Sequence, residues 1–134
     1  MRPNALKSKD QTAHEAMIQR LVARIERDGF VDVQADVVSY DRPPKIYWKD
    51  TREGHVPDVT ATKDGVNYTF AVETGGAVSM EDTQRRWRLL AGDAEQHGKR
   101  FIAVVPAGRI DEARRRLNAL QIDAEVWPLD LKSR

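Results

Sequence analysis

The stretch HVPDVTATKDGVNYTFAVETGG, residues 55–76, restricts the fold more than any other part of the chain. Asp64-Gly65 lies between two runs of alternating apolar and polar residues, the pattern of two strands joined by a two-residue turn. With the turn centred there, Lys63 faces Val66, Ala61 faces Tyr68 and Val59 faces Phe70. Val59, Ala61, Tyr68 and Phe70 then share one apolar face, which a slip by one residue would turn outward. The opposite face carries Asp58, Thr60, Thr69, Ala71 and Glu73. Asp58 lies opposite Ala71 and diagonal to Glu73, with roughly 7–8 Å between backbone positions. Two carboxylates at that offset reach a common point and can hold one divalent cation; Mg²⁺ takes oxygen ligands at about 2.0–2.1 Å and keeps several waters. The plainer alternative is a pair of solvated acids on the wet side of a sheet.

Around the hairpin, periodicity places the other elements. Thr12 to Phe30 reads as a helix, with Met17, Ile18, Leu21, Val22 and Ile25 on one face, a capping box at Thr12 and Glu15, and a stop at Gly29. Val31 to Tyr40 alternates as a half-exposed strand. The connection 41–54 holds two prolines and a short edge strand at Ile46–Trp48. A helix of roughly 18 residues starts at Ser79, capped by Ser79 with Asp82, with Met80, Trp87, Leu90, Ala91 and Ala94 as its apolar stripe and Gly98 as its end. FIAVV, 101–105, is a continuous apolar run, as in a strand covered on both faces. Ile110 to Leu120 gives a third helix, with Ala113, Leu117 and Leu120 inward. Ala124 to Leu129 gives a last strand, placed at an edge because Pro128 has no N–H to donate. The order is α-β-β-β-α-β-α-β: an α/β fold, a mixed sheet flanked by helices in one domain over 12–134, behind a flexible N-terminal segment, 1–11.

Composition narrows the function classes. Net charge is +1, so any surface for nucleic acid is local rather than global. The absence of cysteine excludes disulfides, thiolate metal sites and cysteine nucleophiles. No run approaches ~20 apolar residues, and the opening MRPNALKSKDQ lacks the apolar stretch of a secretory leader, so the expectation is a cytoplasmic protein without membrane contact.

The element order, Pro57-Asp58 at the hairpin's first strand, Phe70-Ala71-Val72-Glu73-Thr74 at its second, and the loop Arg42-Pro43-Pro44-Lys45-Ile46 together resemble the PD-(D/E)xK nuclease superfamily, with its restriction-endonuclease-like fold. The likeness spans roughly residues 12–129. It implies a nuclease-like domain acting on DNA or RNA, with Mg²⁺ or Mn²⁺ held by Asp58 and Glu73, and by Glu15 where the first helix adds an acid. The motif is degenerate. One alignment puts Ala71 at the family's acid and Glu73 at its lysine; the other makes Glu73 the acid and puts Gly75 at the lysine. Losing the charge-stabilising lysine costs on the order of 10²–10³ in rate. Some members place such a group on the following helix, where Gln84, Arg85 and Arg88 stand. The resemblance therefore leaves a metal-dependent hydrolase beside a catalytically inactive module of the same fold that binds nucleic acid or protein, alone or as a homodimer.

Other residues add weaker signals. The loop from Tyr40 to Arg52 mixes Arg42, Lys45 and Lys49 with Tyr47 and Trp48, a composition that stacks bases and neutralises phosphates, or simply solvates a loop. Lys45, Trp48, Arg85 and Arg88 are the nucleic-acid-binding candidates. His55 stands near the acids; His14 and His97 form no ligand cluster by spacing. The Arg114-Arg115-Arg116 run reads as a solvated helix face.

Overall fold

A computed structural model describes residues 9–131. Its elements in chain order are α1 (Lys9–Arg27), β1 (Val31–Ala35), β2 (Ile46–Tyr47), β3 (Gly54–His55), β4 (Val59–Lys63), β5 (Val66–Val72), α2 (Glu81–His97), β6 (Arg100–Val105), α3 (Ile110–Ala119) and β7 (Glu125–Pro128). The main sheet has five strands in the order β1-β4-β5-β6-β7. The β1–β4 and β4–β5 pairs are antiparallel, and the β5–β6 and β6–β7 pairs are parallel. With the helices, this sheet follows the α-β-β-β-α-β-α-β order. The short β2–β3 ribbon is a separate addition between β1 and β4.

The hairpin has the expected register: Val59 pairs with Phe70, Ala61 with Tyr68 and Lys63 with Val66. Asp64 and Gly65 both have positive φ, 53° and 78°, which is the turn geometry that suits the twist of a two-residue hairpin. Val59, Ala61 and Phe70 join the core beneath α1 with Ile102 and Val104, and the predicted α1 face is buried against them. Phe30, Tyr68, Phe70 and Trp127 close this core as an aromatic cluster, with neighbouring ring centroids 5.0–6.4 Å apart.

The opposite sheet face is covered as well. Ala71, Phe101, Ala103 and Val105 pack with Trp87 and Leu90 of α2 and Ala113 and Leu117 of α3 into a second core. Residues of β6 thus alternate between two cores, which accounts for its unbroken apolar run. Asp58 and Glu73 lie on this covered face, not on a wet one.

Several boundaries differ from the sequence reading. The helix α1 already includes Lys9, so Thr12 lies inside it and caps nothing; of the segment 1–11, residues 1–8 lie outside the described part. Strand β1 ends at Ala35, and Asp32, at φ 54°, breaks its alternation where the pairing with β4 bulges. A 3₁₀ turn over Gly75–Ser79 precedes α2. Ser79 Oγ donates to the Gly76 carbonyl instead of capping, and Met80, at the N-cap, is exposed. Among the described residues no helix is long and apolar enough to cross a membrane.

Candidate functional site

Three chain segments meet where the hairpin ends. Asp58 immediately precedes β4 and Glu73 immediately follows β5. At this end the Asp58 side chain takes over from the ladder, and Oδ2 accepts the Val72 N–H at 2.6 Å. The Glu73 N–H donates to the Val104 carbonyl at 2.9 Å, fixing its backbone against β6. Both carboxylates are nearly inaccessible, 2% and 5% exposed, so each requires a partner charge.

Arg86 supplies it. From the second turn of α2, Nη2 lies 2.6 Å from Asp58 Oδ2, and Nη1 lies 2.9 Å from Glu73 Oε2. Nη2 also donates to the Val56 carbonyl at 3.3 Å. Trp87, the next residue, donates its indole N–H to Glu73 Oε2 at 3.2 Å. On the other side, His14 of α1 places Nε2 3.1 Å from Asp58 Oδ1. The sheet end is thus tied to helices on both of its faces by one polar cluster.

The charges respond to each other. Burial opposes ionisation of Asp58, but Arg86, the His14 hydrogen bond and charge, and the Val72 amide hold its carboxyl below the usual range. Burial dominates at Glu73 and, with the Asp58 charge, raises its carboxyl to about 7 against the pull of Arg86. The hydrogen bond to Asp58 raises His14. At His55, burial and then the cations Arg86 and Arg85 lower the imidazole.

These shifts give stability a definite pH dependence. Between the ordinary value of 4.5 and about 7, folded Glu73 holds a proton that the unfolded chain has released. Its contribution is therefore present at low pH and lost as pH rises through that window. His14 has the same sign, its contribution fading as pH rises through its elevated folded value. Asp58 has the opposite sign, with stability present above 3.8 and lost on acidification below it. The Glu73→Gln protein is expected to show a shallower fall in stability between pH 5 and 7 than wild type, read from urea denaturation across that range. An unchanged slope would rule out a protonated Glu73.

The cluster forms the floor of an open cleft of about 900 Å³. Arg42, Lys45 and His55 line the cleft with it. Arg42 reaches Asp36 at 3.3 Å, and Lys45 lies over the exposed ring of Tyr47, 5.4 Å from its centroid. The β2–β3 ribbon, which carries His55 and starts directly after Lys45, needs glycine at 54, because a side chain there would strike the Ile46 carbonyl.

The predicted site residues divide. Asp58 and Glu73 converge as the hairpin geometry requires, and Lys45 lines the same cleft. Gln84 and Trp48 are half-buried and do not line it. Arg85 is exposed on α2; Arg88 is exposed and lines a different hollow with Lys99 and Arg100. Glu15 does not line the cleft; its neighbour His14 does. Arg114 and Arg115 are exposed on α3, away from the cleft.

Arg86 and His14 are the members of the cluster that the sequence reading did not bring to the acids. Both had a signal. Arg86 is three residues after buried Thr83 and four before buried Leu90, so it belongs to the inward stripe of α2. His14 is three before Met17 and four before Ile18, on the inward face of α1.

The residues present do not fit a divalent ion. The position between Asp58 and Glu73 is filled by the Arg86 guanidinium, and each Asp58 oxygen already accepts from protein donors. Among the described residues, no three His, Cys, Asp or Glu side chains gather in a way that could hold a metal. No family model, curated protein or solved structure matches this chain.

Proposed function

We propose that this chain is a nuclease-like domain that binds DNA or RNA without metal-dependent cleavage. The observation that carries this reading is the pairing of Arg86 with both carboxylates at the floor of the cleft. That pairing offsets one of the two negative charges from within, and the His14 imidazole on Asp58 offsets more when protonated, so a phosphate backbone approaching the floor does not meet two bare negative charges. Arg42 and Lys45 at the cleft supply cations for phosphate, and the exposed Tyr47 beside Lys45 supplies a ring on which a base can stack.

The test is fluorescence anisotropy with labelled single-stranded DNA, duplex DNA and RNA over a salt series. Binding is expected to weaken steeply with salt. Lys45→Ala is expected to lower affinity roughly tenfold at 0.1 M salt and to reduce the salt slope by about one, whatever the sequence. Binding that ignores both salt and Lys45 would reject the reading. A plasmid assay with Mg²⁺ or Mn²⁺ is expected to show no nicking; nicking abolished by Asp58→Ala would establish the hydrolase instead.

A further inference from the structure

We infer that Arg86 is a tethered counter-cation, so that the residue at position 86 decides whether the cleft floor can take a divalent metal ion. Three oxygens converge on its guanidinium from different segments: Asp58 Oδ2 at 2.6 Å, Glu73 Oε2 at 2.9 Å and the Val56 carbonyl at 3.3 Å. Two carboxylate oxygens and one main-chain carbonyl are a donor set for a hard divalent cation, which completes its shell with water. Groups other than Arg86 hold the three in place: the Val72 amide fixes the Asp58 carboxylate, β6 fixes the Glu73 backbone while the Trp87 indole holds its Oε2, and Val56 lies two residues from Asp58. The wild-type chain satisfies them with a side-chain cation that has no dissociation step. A free ion would have to displace a guanidinium buried with its partners, 15% exposed. Removing the guanidinium leaves the oxygens facing one volume at the floor of the open cleft, with a route for an ion to enter.

The inference does not rest on nucleic-acid binding, and its test contains no nucleic acid. Mn²⁺ is titrated into isotopically labelled wild type, Arg86→Ala and Arg86→Gln, and the paramagnetic broadening of the Asp58, Val72 and Glu73 amide signals is followed. Wild type is expected to show no saturable broadening at these amides at millimolar Mn²⁺. Arg86→Ala and Arg86→Gln are expected to gain it, with dissociation constants of about 10⁻⁴–10⁻³ M. Adding Asp58→Asn to either variant is expected to abolish it. If neither variant folds without metal, Mn²⁺ is expected to restore folding, followed by circular dichroism. Saturable broadening in wild type overturns the inference. So does its absence in folded variants, or the failure of Mn²⁺ to restore unfolded ones.

Discussion

Arg86→Ala is expected to lower the free energy of unfolding at pH 8 by about 3–5 kcal/mol, because it leaves two buried carboxylates without their counter-charge. For a domain of this size that is a large share of a total of roughly 5–15 kcal/mol. The wild-type pair need not be strongly stabilising for this to hold, since the penalty comes from the orphaned charges rather than from the lost attraction. It also depends on pH. At pH 5 Glu73, whose carboxyl titrates at about 7, is already protonated, so only Asp58 is left uncompensated. The defect is therefore expected to be clearly smaller at pH 5 than at pH 8. Urea unfolding curves of both proteins at the two pH values measure it. A loss below about 1 kcal/mol, the level of an exposed ion pair, would show that Arg86 points into solvent.

Trp87→Ala is expected to cost a similar amount, about 3–5 kcal/mol, by a different mechanism. Trp87 is fully inaccessible, and its ring lies in the second core with Leu90, Ala71 and Val105. Its truncation leaves a cavity where α2 meets the sheet, and it removes the indole donor from Glu73. Trp87→Phe separates the two effects. It keeps most of the packing and loses the donor, so its cost should be about 1–3 kcal/mol, the value of a hydrogen bond to a buried carboxylate. Thermal and urea unfolding of the two variants distinguish cavity from donor; equal losses would mean that packing contributes little. Because Arg86 and Trp87 are consecutive, the same turn of α2 anchors the core and supplies the site's buried counter-charge.

Elements written in local periodicity were legible from the residues. The Asp64-Gly65 turn set the register, and with it the convergence of Asp58 and Glu73, because a pleat allows only two facings. The unbroken run of β6 foretold its two cores, and Pro128 foretold an edge strand. Features that depend on tertiary partners were not legible. Asp32 adopts a positive φ where β1 bulges against β4, which ends the alternation early. The 3₁₀ turn over Gly75–Ser79 moves the start of α2 and turns Met80 outward. The spacing of Arg86 puts it on the inward stripe, but its charge points the other way, because charge ordinarily marks the solvent face of a helix. Its position on the inward stripe makes sense only once two carboxylates from the sheet are known to wait there. His14 is the same case on α1.

The bridging of Asp58 and Glu73 by Arg86 is most directly tested by a double-mutant cycle on unfolding free energy, using Asp58→Asn, Arg86→Gln and the double variant at pH 8. Direct contact at 2.6 Å predicts a coupling energy of about 2–3 kcal/mol, with the double variant losing far less than the sum of the single losses. Single losses that add to within about 0.5 kcal/mol would contradict the Asp58–Arg86 contact on which the bridge depends.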